Sequence, residues 1–152
     1  MIDITEFNKA LSKKVIAGKI KCNFTFGNNQ LNELINIEGI DLPWSINYFF
    51  VKYLPVEISC NNRVLKLLPQ SEIELIDNRF LFFSKINNTE IICFDTIKVN
   101  SANEWDIINY SNGYLMTKTI SSFLSNKVWA WIERGRKIWE QEFPDHTDMQ
   151  NK

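Results

Sequence analysis

The chain has one histidine in 152 residues, His146, and it stands in the polar segment after Pro144. A hydrolytic triad needs an imidazole held by a carboxylate beside its nucleophile, and a tail histidine does not supply one. Glycine is scarce as well. Gly18, Gly27, Gly39, Gly113 and Gly135 stand too far apart for a phosphate-cradling loop, so nucleotide hydrolysis is not expected. No apolar run approaches the roughly 18 residues of a membrane span. The first residues, MIDITEFNKALSKK, carry acid and lysine where a signal peptide would be continuously apolar. These features lead us to expect a cytoplasmic protein with no membrane partner. A formal charge of −1 and a pI near 5.9 lack the basic bias of a phosphate-gripping surface, so nucleic acid is not expected as a direct ligand.

Cysteine is sparse and odd in number. Cys22, Cys60 and Cys93 each sit in an apolar alternation without a CxxC neighbour. Free cysteine is among the most buried residue types, so the simple reading is three reduced thiols acting as small hydrophobes. The alternative, a zinc site, lacks a second ligand type. No metal or other cofactor is expected.

What is present is a core: 45% of residues are apolar and 13% aromatic, in a chain of single-domain length. Residues 1–144 are read as one domain and 145–152 as a polar, disordered tail. The organising stretch is residues 42–54, LPWSINYFFVKYL. Ile46, Phe49, Phe50, Tyr53 and Leu54 recur there at the steps of one helical face, which needs a sheet to bury it. Pro43 suits the first helical position and Pro55 ends the helix.

An earlier helix is expected over residues 4–16, opened by an Asp3/Glu6 capping box and fading at Gly18. A strand then alternates Ile20, Cys22, Phe24 and Phe26 with solvent-facing Lys19 and Lys21. Gly27-Asn28-Asn29 caps a short helix carrying Leu31, Leu34 and Ile35, closed by Gly39. After residue 55 the turns are written by asparagine, which tolerates left-handed backbone. Asn61-Asn62 joins strands 56–60 and 64–68, and Asn87-Asn88 joins 80–85 and 90–94. The stretch holding Ile73, Leu75 and Ile76 fits either a helical or an extended piece. Residues 97–99 and 105–110 read as further strands, and Ser111-Asn112-Gly113 as a tight turn.

A last helix, capped by Thr119 or Ser121, carries Phe123, Leu124, Val128, Trp131, Ile132, Ile138, Trp139 and Phe143 on one face. That is about six turns, ending at Pro144. Trp129 and Gly135 fall outside this stripe. Each marks either a close contact or, more simply, an exposed edge and a tolerated glycine. The helices thus bracket one antiparallel sheet.

Chemistry is thinly signalled. A catalytic carboxylate pair could be drawn from Glu57, Glu72, Glu74, Asp77, Glu90, Asp95, Glu104 and Asp106, although acids at strand ends are more often solvated. No residue is assigned a catalytic role. These eight acids face five bases in residues 56–106, against five acids and six bases in residues 1–55. A mildly acidic strand region beside large amphipathic side chains suits a basic protein partner. The candidate partner-binding residues are Glu57, Glu72, Glu74, Asp77, Glu90, Trp105, Asp106 and Tyr110; an ordinary solvated sheet face is the alternative.

The order of three motifs resembles the SUKH superfamily. They are Leu42-Pro43 opening an aromatic helix, Ile91-Ile92-Cys93-Phe94-Asp95 ending a hairpin, and Ser121-Ser122-Phe123-Leu124 opening the last helix. The resemblance spans about residues 31–131. It departs where Leu54-Pro55-Val56 runs straight into a strand in place of a glycine-rich loop. The resemblance implies an α+β fold with a central antiparallel or mixed sheet flanked by helices and a long C-terminal helix. It also implies, for bacterial members, an immunity protein that neutralises a cognate toxin by occluding its active site, often the site of a nuclease or other nucleic-acid-modifying enzyme. No binding residue transfers with these motifs. Two other readings stay open: a non-catalytic regulatory module of the same fold, and an enzyme built on an unrecognised carboxylate pair. A monomer is expected.

Overall fold

The computed structural model describes residues 4–27, 37 and 39–141. Its framework is an antiparallel sheet of eight strands: β1 (Asn23–Phe26), β2 (Val56–Cys60), β3 (Arg63–Leu67), β4 (Glu74–Ile76), β5 (Phe80–Ile86), β6 (Glu90–Asp95), β7 (Asp106–Asn109) and β8 (Leu115–Thr117). The strands lie in the order β1-β2-β3-β5-β6-β7-β8, and β4 takes up the length of β5 that β3 leaves unpaired. The hairpins follow the asparagines: Asn61, Asn87 and Asn88 all hold positive φ, the conformation these tight reversals need.

Helix α1 (Ile4–Ile16) ends at Gly18, whose N–H returns to the Val15 carbonyl. Helix α2 (Trp44–Tyr53) starts after Pro43 and stops before Pro55. Its Ile46, Phe49, Phe50 and Tyr53, with Leu54 just beyond, are all buried, as the stripe requires. In this antiparallel register directly opposed residues share a face. Val56, Ile58, Leu65, Leu67, Ile86, Ile92, Phe94 and Ile107 therefore form one side, and all of them join a single core with Leu11 of α1, the α2 stripe and the C-terminal helix. The helices bracket the strands in chain order, yet in space the described ones share one face. The described helices flank the sheet on that one face.

Several expectations are corrected. Thr119 caps the last helix through the Ser122 N–H, and the helix continues through α3 (Ile120–Ser122), a wider π-type segment (Phe123–Val128) and α4 (Trp129–Arg134). It then stops at Gly135, not near Pro144. Gly135 adopts left-handed backbone with φ 66° and donates to the Trp131 carbonyl, the usual ending of a helix on glycine. Ile138 still reaches the core from the following turn, so apolar spacing runs past the helix end. Trp129 is no exposed edge: its ring meets Phe7 of α1 edge-on at 5.8 Å. Residues 97–99 form a loop in place of a strand. The Asp95 carboxylate accepts the Ile97 N–H, and the Asn100 side chain accepts the Ala102 and Glu104 N–H groups, so the side chains satisfy the backbone and no ladder forms. Ile20 and Cys22 precede β1 and are not part of it, whereas residues 70–76 resolve into a 3₁₀ turn (Gln70–Glu72) followed by β4. Asp3, the helix expected around Leu31–Ile35 by residues 31, 34 and 35, Phe143 and residues 145–152 lie outside the described residues.

Gly27 marks the closest backbone approach. Its N–H donates to the Pro55 carbonyl, and a Cβ there would overlap the Leu54 carbonyl, so only glycine lets β1 turn against the end of α2. Among the described residues no helix is long and apolar enough to cross a membrane.

Candidate partner-binding surface

The second face of the sheet carries a smaller cluster of its own. Leu68, Phe82, Cys93 and Ile108 are buried there, with Ile73, Ile76, Phe80, Ile91 and Tyr110 half-buried around them. Every member comes from a strand or a connecting loop. A β-bulge makes this doubling possible: Phe82 opposes Cys93 while Ser84 opposes Ile92, so Phe83 is the extra residue and turns into the helix-covered core.

Charged groups surround the cluster. Glu74 stands directly across from Phe82, and Glu57 across from Lys66. The Lys85 ammonium lies 5.9 Å from the Phe82 ring centre. Arg79 grips Asp95 with two bonds of 2.8 Å while its guanidinium covers the Phe80 ring at 5.0 Å. That grip, with the Ile97 N–H, holds the Asp95 carboxyl below its ordinary range. Tyr110 meets Phe80 edge-on at 5.5 Å, and its hydroxyl donates to Asp77 at 2.9 Å. Beside this face is a cleft of about 250 Å³ lined by Thr25, Glu57, Lys66, Leu68, Pro69 and Glu72.

The residues singled out from sequence therefore divide. Glu57 and Glu72 line the cleft, and Glu74, Asp77, Asp106 and Tyr110 belong to the same face. Glu90 does not: it opposes Ile86 and accepts a bond from Asn109 on the helix-covered side. Trp105 does not either. It is 3% exposed, packed 6.1 Å from the Phe94 ring in the main core, and its role as an exposed anchor is withdrawn. Alternation alone could not decide this, because an indole suits a core and an interface equally.

Three surface features were missed from sequence. Ile97 and Val99, expected in a strand, are 63% and 54% exposed on the loop beyond Asp95. The Asp95-Thr96 and Asn100-Ser101 pairs, both good turn formers, were the available signal. On the helix layer, Trp44 is 63% exposed and stacks on Tyr48 at 5.5 Å, with Lys52 5.1 Å from the Tyr48 ring centre. That spacing of four along α2 was legible.

The groups available for catalysis are few. Asp95 and Asp106 oppose one another across β6 and β7, but Arg79 lowers the first and the second accepts a bond from Asn100 at 3.0 Å. A general acid at neutral pH needs a raised carboxyl, and the Asp95 carboxyl is lowered. Glu104 is raised by burial, yet it is spent on the Ile120 N–H at 2.9 Å, at the start of the last helix. Burial, then Glu74, push the Cys93 thiol up to about 12, so it stays protonated at neutral pH. Among the described residues no group of three or more His, Cys, Asp or Glu side chains converges as a metal would need.

The Tyr110–Asp77 bond gives a direct check on this face. The bond favours the neutral phenol, so Tyr110 titrates above the ordinary tyrosine value. Its contribution is full below the unfolded value and is lost as pH rises through the folded one. Asp77→Asn is expected to bring this titration down in a spectrophotometric alkaline titration; an unchanged curve would count against the bond.

Comparison with protein-family models, with curated proteins and with solved structures finds no match to this chain.

Proposed function

We propose that this protein is a non-catalytic binding protein of the immunity type, which neutralises a cognate bacterial toxin by covering that toxin's active site with the second face of its sheet. The observation that carries this reading is a sheet face that no described helix contributes to, with an apolar centre of Phe82, Phe80, Ile108 and Tyr110 and the exposed acids Glu57, Glu74 and Asp77 around it. An aromatic centre inside a charged rim is the usual anatomy of a protein interface. The acids favour a basic partner, as nucleic-acid-modifying enzymes tend to be, and the motif order supplies the immunity role.

The first test is co-expression with the product of the adjacent upstream reading frame, scored for rescue of growth. With the purified pair, Glu72→Lys with Glu74→Lys is expected to slow association about tenfold at low salt, because rim charges act mainly on the on-rate. Tyr110→Ala is expected to speed dissociation about 30-fold, the equivalent of about 2 kcal/mol at a central anchor. Trp44→Ala, on the opposite layer, should leave both rates unchanged. If the sheet variants bind as wild type at every salt concentration while Trp44→Ala weakens binding, the interface is the outer side of α2 and the sheet reading fails.

A further inference from the structure

The register of the sheet edge brings two cysteines face to face. Asn23 opposes Ser59 in the β1–β2 pair, so the next step places Cys22 opposite Cys60. Their sulfurs are 2.7 Å apart, both are buried, and both lie on the helix-covered side. A disulfide bond is about 2.05 Å long, so the atoms stand within about 1 Å of bonding distance. Cys93 belongs to the cluster on the opposite face, with the sheet between it and the pair.

We propose that Cys22 and Cys60 are a disulfide-forming site, oxidised by a low-molecular-weight disulfide, that clasps the edge strand β1 to β2. The chemistry balances in two exchanges. The Cys22 thiolate, the more exposed of the two, attacks one sulfur of the small disulfide; that S–S bond breaks, a mixed disulfide forms and one small thiol leaves with a proton. Cys60 then gives its proton to solvent and its sulfur attacks Cys22, displacing the second small thiol. Two electrons pass from the pair to the oxidant.

The rate is set by access and by thiolate content. Burial, followed by the hydrogen bond shared with Cys60, holds the Cys22 thiol up at about 12, so little thiolate exists at neutral pH. Cys22 stands just before an edge strand of four residues, and such edges open locally at far lower cost than the whole fold. Oxidation is therefore slow in buffer and faster at raised pH or in mild urea, below the unfolding transition. The clasp joins positions 38 residues apart, across β1 and α2. Closing a loop of that size constrains the unfolded chain and raises the thermal midpoint, on the order of 10 °C by chain-entropy reasoning.

The test uses the reduced wild-type protein with oxidised glutathione in mild urea, followed by denaturation, alkylation and mass spectrometry. Before oxidation three thiols should be counted. Afterwards one should remain, on Cys93, with a peptide linkage between Cys22 and Cys60 that a dithiol reductant reverses. Cys93→Ser should form the same linkage, and Cys60→Ser should form none. Three titratable thiols after prolonged oxidant, a linkage that includes Cys93, or a link between separate chains would each overturn the proposal. The wild-type thiol count settles the matter even where a serine variant fails to fold.

Discussion

Phe50→Ala is expected to lower the unfolding free energy by about 3–5 kcal/mol, the range for removing a fully buried phenylalanine. Phe50 is the point at which α2 meets the sheet. Its ring lies 6.3 Å from Phe83 and 5.9 Å from Phe94, which stack on each other at 4.2 Å, and Phe123 of the last helix meets Phe83 edge-on at 5.8 Å. Truncation leaves a cavity walled by rings that the bulge and the helix ends hold in place, so little collapse can offset it. For a chain of this length the loss corresponds to a fall of about 10 °C in melting midpoint. A thermal melt within 2 °C of wild type, on the order of the effect of about 1 kcal/mol, would refute the packing described.

Asn109→Ala is the second large effect, and its cause is polar. Asn109 is fully buried. Its side-chain amide donates to the Trp139 carbonyl at 2.8 Å and to Glu90 at 3.2 Å, while its oxygen accepts the Ser111 N–H at 2.9 Å. One side chain thus ties the segment after Gly135 to the sheet and also shapes the turn before β8. Alanine strands these partners, at about 1–3 kcal/mol for each that water cannot reach, and we expect a total of about 2–3 kcal/mol in chemical denaturation. Limited proteolysis should show new cleavage near residues 136–140. Asn109→Asp should be worse than alanine, because a second carboxylate would then face Glu90. An aspartate variant as stable as wild type would rule out the arrangement.

The helices were legible where one rule acted alone. Ile46, Phe49 and Phe50 follow a strict helical period between two prolines, and all three are buried. The asparagine turns were equally plain. The end of the last helix was not, because Ile138 and Trp139 keep the apolar spacing after Gly135 has reversed the backbone. In β5 the run Leu81-Phe82-Phe83-Ser84 is buried throughout, so no alternation existed to say which side chain faces which layer. Only the register and its bulge assign Phe82 to one face and Phe83 to the other. That assignment decides the candidate site, since Phe82 lies at its centre and the acids named from charge alone gain meaning only around it. Trp105 and Glu90 went astray for the same reason: their distance in sequence from the acidic strands is short, and their direction is set by pairing partners that no local pattern encodes.

The two ends of the sheet bear on how readily its strands can pair with a foreign chain. Among the described residues its outermost strands are β1 and β8, of four and three residues, and the three-residue β4 is paired only with β5. Unpaired backbone at a sheet margin is what recruits further chains into ribbons and fibrils, and its reach scales with strand length. Margins this short offer few ladder bonds to a foreign strand. Self-assembly through the edges is thereby starved.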